Sequence, residues 1–377
     1  MGRGVVLGFW VAVAYWPWVL PAAVLPREAV VAVGVPLLCR VDVREVDSRV
    51  WWLLVFGVAW ALGSARGMEA GFWLLVLAVA FVAGAGLRSL DGVMTGLALG
   101  IAVSSVLCVA QLFGWQGVRQ ASMPAGLFFS REVLAEFAAP VAVWWVIRAV
   151  GRPAFESIVF AFAASLPLVL CGERAAIFAA ACGGWYYVFC GRVPRGRTDL
   201  GWRIAVALGI LLIAGIFSLF FLDPSRSASA AMRVETWRLA ARAIVPFGHG
   251  LGWFRAAYPY FDVAHSDLLQ MLAELGGGAV FFLAIPVLCF VERRGSDAER
   301  AVLATICVAG MVSFLFEMPA QGFVAATVAG YLGGRRRGVC RGAPDGVGRG
   351  GAVVLGRDDG TDGGERAGGE GGRYLSL

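Results

Sequence analysis

The chain reads as an all-α polytopic membrane protein with about 11–12 crossing helices and one long outward loop that carries a short helix. Three observations predict this. Of its 377 residues, 59 % are hydrophobic and only 15 % charged, with mean hydropathy +0.75, against roughly 45–50 % and about 25 % in ordinary globular domains. Near-continuous apolar runs recur along most of the length. They are too long, and alternate too little, for barrel strands of about 10 residues.

The apolar runs fall at residues 4–24, 28–39, 50–64, 70–87, 92–113, 132–149, 154–171, 174–190, 202–222, 267–290, 300–316 and 319–334. The run at 28–39 has barely half of the roughly 20 residues a crossing needs, so it crosses by borrowing residues 40–43 or re-enters. The first run follows Arg3 like a signal peptide but lacks a small-x-small cleavage site, and is expected to remain as an uncleaved helix.

All 32 basic residues are arginine, because lysine is absent; asparagine is absent too. Both missing residues have AT-rich codons, so a GC-rich genome accounts for them. The net charge of +6 predicts no nucleic-acid interface, since the arginines are dispersed among short loops. Arg40, Arg44 and Arg49, then Arg88, Arg148 and Arg152, Arg192 to Arg203, Arg293 to Arg300 and Arg335 to Arg337 mark alternate connections. Those connections are expected on the cytoplasmic side, with both termini inside a cytoplasmic membrane. The loops around Arg66 and Arg119 face the other way.

Three regions follow: N-terminal crossing helices over 1–120, a main membrane region over 121–334, and a Gly/Arg/Asp-rich tail over 335–377 that is too poor in large apolar residues to fold. Within the second, residues 223–266 form the single long hydrophilic connection, and long loops in economical folds are commonly functional. A helix is expected from a cap at Ser227 or Ser229 to Ile244, stopped by Pro246. The eight cysteines lie mostly in apolar runs with no C-x-x-C pair, which points away from a zinc site or disulfide framework. No carboxylate cluster has metal-ligand spacing, so no metal or other cofactor is expected.

Arg174 opens an apolar run, where a charge is costly and by default suggests function; snorkelling to headgroups or pairing with Glu173 is the plain alternative. Arg233 and Trp237, four apart, share one helix face. That pattern fits a helix lying on a membrane surface, or an arginine aimed with Arg174 at a diphosphate, whose oxygens match the guanidinium fork. His265 has the ordinary pKa near 6.5 of a general base, or it hydrogen-bonds at the start of the next helix. Asp267, Gln270 and Glu274 fall on the face away from His265, which predicts helix–helix contacts rather than shared chemistry. His249 sits among glycines placed for backbone conformation and is given no catalytic role.

These pieces in order resemble a known family. "AGLFFSREVLAEFAAPVAVW", "GERAAIF", "MRVETWRLAARAIVPFGHGLGWFRAAYP", "AHSDLLQMLAELGGGAVFFL" and "SFLFEMPAQGFVAATVAGYL" are similar to segments of the O-antigen ligase/polymerase superfamily of bacterial membrane glycosyltransferases. The likeness covers about 121–334 and is strongest over 232–276. It implies transfer of a glycan from undecaprenyl pyrophosphate to an acceptor hydroxyl on the outer face of the bacterial inner membrane. The acceptor is a glycolipid such as lipid A core, another glycan, or a protein. The resemblance implies a metal-independent, inverting reaction. It also implies that Arg174 and Arg233 hold the pyrophosphate, with Trp237 beside them, while His265 deprotonates or orients the acceptor.

Ser130 and Ser266 stand where the family usually has asparagine, and Glu173 where it has serine before the arginine. Two other readings remain open: a polysaccharide or small-molecule transporter, which should show internal repeats that this sequence lacks, and an inactive homologue serving as a scaffold.

Overall fold

The computed structural model describes residues 2–13, 43–65, 68–115, 124–128, 130–190, 227–258, 264–313 and 319–334. The expected runs at 28–39 and 202–222, the loops at Arg66 and Arg119, and the tail over 335–377 lie outside the described residues.

The described residues are helical, with no strand among them. In chain order the helices are α1 (Gly2–Val13), α2 (Ser48–Ser64), α3 (Met68–Ala85), α4 (Asp91–Leu112), α5 (Arg131–Gly151), α6 (Phe155–Cys171), α7 (Arg174–Cys190), α8 (Ser227–Arg242), α9 (Trp253–Ala257), α10 (Asp267–Leu275), α11 (Ala279–Val291), α12 (Asp297–Val312) and α13 (Pro319–Gly333). Most boundaries fall within three residues of the apolar runs, because each end carries its own stop signal. Ser296 and Glu299 form a reciprocal capping box at the start of α12, and Gly172, left-handed at φ 61°, ends α6.

Among the described residues three helical stretches are long and apolar enough to cross a membrane: 91–112, 131–151 and 267–291; α2 and α6 are shorter apolar helices. The stretch at 267–291 matches the expected run at 267–290 and is broken within. A tight turn at Gly276–Gly278 separates α10 from α11, and Gly276 has φ 55° and ψ −130°, a geometry open to glycine and costly to other residues.

Successive helices alternate between two ends of the bundle. At one end Arg148 pairs with Asp91 at 2.5 Å, and buried Arg294 reaches Glu292 at 2.6 Å and Asp47 at 3.3 Å. Arg300 pairs with Asp297 there as well. At the opposite end α5, α7, α10 and α13 begin, while α2, α4, α6 and α12 finish.

The middle of the bundle is held by α5, whose residues 133–145 are all buried. Its Trp144 and Phe137 rank with Phe128 and Phe323 among the largest fully buried side chains. Small residues let the backbones approach: a Cβ on Gly96 of α4 would run into Val5 O of α1, and one on Gly330 of α13 into Phe81 O of α3. The outer surface remains apolar, with Phe155, Phe162 and Val169 of α6 exposed by 84 %, 69 % and 75 %. A soluble domain rarely tolerates such a stripe without a partner.

Candidate functional site

The described part of the long loop, residues 227–258, packs against the end of the bundle where α5, α7 and α10 begin. Its helix α8 carries polar residues on both faces, so its seat comes from specific contacts. Arg233 Nη2 lies 3.5 Å from Glu173 Oε1, with the two side chains 19 % and 13 % exposed. One turn later Trp237 donates its indole N–H to the backbone carbonyl of His265 at 3.0 Å. The two residues share one face, as their spacing predicts, and that face points at protein groups.

His265 is one of two described non-glycine residues with positive φ, at 53°. The next residue, Ser266, caps α10 by accepting from Leu269 N–H at 3.4 Å. Ser130 does the same for α5, accepting from Val133 N–H at 3.3 Å. Serine and asparagine are both good N-caps, so the two departures from the resembled pattern preserve the local fold.

Glu173 precedes α7, and the Ala175 backbone N–H donates to its carboxylate. Arg174 is the first residue of the helix and half-buried. The structure therefore brings Arg233, Trp237 and His265 together, and sets Arg174 next in the chain to the carboxylate that pairs with Arg233.

The first two turns of α5 supply carboxylates that the sequence reading passed over. Glu132 lies close enough to influence both His265 and Glu173 electrostatically. Glu136, 1 % exposed, accepts from the Ser313 hydroxyl and lies 3.5 Å from Gln321 Nε2, which also donates to Val133 O at 2.9 Å. A carboxylic acid inside the apolar run at 132–149 is the signal that would have found it, since such groups are rare in membrane helices and face interior sites.

Electrostatics give these groups unequal proton affinities. Burial pushes His265 down to about 4, the Arg233 guanidinium adds to the shift, and Glu132 opposes it. His265 is therefore neutral at pH 7. Burial pushes Glu173 above the usual carboxylate range, partly offset by Arg233.

The polar face of α10 makes a helix–helix contact, as expected, and it is to the start of the short helix α9. The Glu274 carboxylate accepts from the backbone N–H groups of Gly252 at 2.9 Å and Phe254 at 3.0 Å, and Gln270 Nε2 lies 3.4 Å away. Gln270 also accepts from Ala264 N–H at 3.0 Å. The polar face thus clamps the glycine-rich turn and the segment leading to His265. Gly248, Gly250 and Gly252 have φ of 69°, 99° and 83°, and the His249 ring stacks on Trp253 at 4.1 Å, so these residues shape the turn.

Among the described residues no group of three or more His, Cys, Asp or Glu side chains is placed to hold a metal ion. Comparison with known proteins adds no identity: no family model matches the chain, and no curated protein matches its sequence.

Proposed function

We propose that this chain is a polytopic inner-membrane glycosyltransferase that moves a glycan from undecaprenyl pyrophosphate to an acceptor hydroxyl on the outer face, in the manner of an O-antigen ligase or polymerase. The observation that carries the reading is the convergence of Arg233, Trp237 and His265 with the start of α7 at one end of an apolar bundle. The segments that resemble the superfamily lie far apart in sequence and meet there.

The chemistry asks for three things. The departing diphosphate needs cationic donors, which Arg233 and Arg174 supply as planar forks matched to phosphate oxygens. The acceptor hydroxyl needs a group that accepts its hydrogen bond. His265, neutral at pH 7 because of burial and Arg233, offers a ring nitrogen for that. The lipid donor needs an entry from the bilayer, which the exposed apolar face of the bundle provides. The proposed order is in-line attack by the acceptor oxygen, with inversion at the anomeric carbon and release of undecaprenyl pyrophosphate. The arginine-bearing end at Arg148, Arg294 and Arg300 faces the cytoplasm in this reading.

The test uses wild type and His265→Ala in nanodiscs with an undecaprenyl-pyrophosphate-linked glycan, and lipid A core, glycan and peptide acceptors in parallel. Release of undecaprenyl pyrophosphate with one acceptor, reduced about 10²–10⁴-fold in the variant, supports the reading and identifies the acceptor. Equal release by both removes His265 from the mechanism. No release from folded protein with any acceptor refutes the transferase reading.

A further inference from the structure

We infer that Glu173 holds the anion seat of Arg233 and yields it when a diphosphate binds, taking up a proton as it does so. This inference rests on the proposal that the site receives a diphosphate.

The pair has the geometry of an exchangeable contact. At 3.5 Å, Arg233 Nη2 and Glu173 Oε1 are farther apart than the roughly 2.7–2.9 Å of a strong charge-assisted hydrogen bond. A diphosphate presents several oxygens to the guanidinium fork, where Glu173 presents one at longer range. Both side chains are largely out of solvent, so a carboxylate that loses Arg233 is not rescued by bulk water.

Glu173 cannot simply swing away. Left-handed Gly172 ends α6 immediately before it, Ala175 N–H holds its carboxylate, and its own carbonyl accepts from Ile177 N–H at 3.2 Å. The charges facing it come from two helices and its own. Glu132 and Arg131 stand on α5, with Glu136 one turn deeper and coupled to Glu173, and Arg233 stands on α8. Arg174 follows it in the chain. When Arg233 turns to the ligand, Glu173 faces the Glu132 carboxylate and an incoming anion, with Arg131 and Arg174 as the remaining cations. Protonation is the route that relieves this, because like charges and burial both disfavour the ionised form.

The sign follows from the order of affinities. While Arg233 pairs with Glu173, burial already raises Glu173, and Arg233 offsets part of the rise. In the occupied site that offset is lost, so the proton is held more tightly still. Binding then takes up a proton and strengthens as pH falls, by at most about tenfold per pH unit between the two pKa values. His265, held near 4, titrates below this window.

The experiment measures binding of a sugar-linked, short-prenyl diphosphate diester to the full chain in nanodiscs between pH 5.5 and 8.5, a range the diester does not titrate in. Calorimetry in two buffers of different ionisation enthalpy reads the proton uptake. Wild type should take up protons and bind more tightly at low pH. Glu173→Gln, and Glu173→Ser as a second folded variant, should bind about tenfold tighter at pH 8, with a shallower pH profile and less proton uptake than wild type. Equal proton uptake in these variants, or weaker binding, overturns the inference. Loss of binding in Arg233→Gln alongside that result leaves the diphosphate site standing without the exchange. Absence of binding to wild type and to both Glu173 variants refutes both.

Discussion

Trp237 and His265, 28 positions apart, are joined by a 3.0 Å hydrogen bond from the indole N–H to the histidine's backbone carbonyl. The bond acts on the backbone, at a residue with φ 53° whose conformation persists only when its surroundings demand it. Trp237→Phe keeps an aromatic ring, gives up part of the indole's volume and removes the donor. Turnover in the proposed transfer reaction should fall about tenfold, with stability lower by about 1 kcal/mol in a thermal unfolding assay. Unchanged turnover would assign Trp237 to packing alone.

The low proton affinity of His265 has a direct spectroscopic reading. The chain holds two histidines, so His249→Gln leaves a single imidazole signal for ¹⁵N detection. Its midpoint should lie near 4, and Arg233→Gln should raise it, since the guanidinium is one of the causes of the depression. Because the folded-state value lies below the ordinary 6.5, the neutral ring favours the fold above about pH 6.5, and that contribution fades as pH falls toward 4. A midpoint at 6.5 would contradict the buried placement.

Glu274 should matter for structure rather than for chemistry. Glu274→Ala leaves the Gly252 and Phe254 N–H groups without their acceptor, a cost of about 1–3 kcal/mol for each buried donor. Protection of these amides in hydrogen exchange should drop, and the turn at residues 248–254 should loosen. Glu274→Gln, with one acceptor oxygen, should fall between the two.

The break between α10 and α11 should be intolerant of a side chain. At Gly276 a Cβ would run into Gly248 N, and would sit 2.5 Å from Pro246 O and Val245 O, at φ 55°. Gly276→Ala should cost about 1–3 kcal/mol for backbone strain alone, read as a lower thermal midpoint together with lost turnover.

The helix boundaries were legible because their signals are local. The apolar runs located α2 to α7 to within a few residues, and caps such as Ser130, Ser296 and Gly172 are written where they act. His265 and Arg174 stood out as ionisable residues beside apolar runs, and Arg233 by its spacing from Trp237. Glu136 did not, because one carboxylate in a long apolar helix has no local partner in sequence; its hydrogen bond comes from Ser313, 177 positions away.

The sequence by itself determined a helical, strongly apolar chain with a polar excursion at residues 223–266, since hydropathy and capping depend on neighbours a few residues apart. It also determined that Arg233 and Trp237 share a face, which follows from helix geometry. Only the tertiary structure decided that this face meets Glu173 and His265, that Glu274 clamps a loop, and that His265 is held neutral. Each of these depends on charges and backbone groups brought together from distant segments, and burial sets their strength only once the bundle has closed around them.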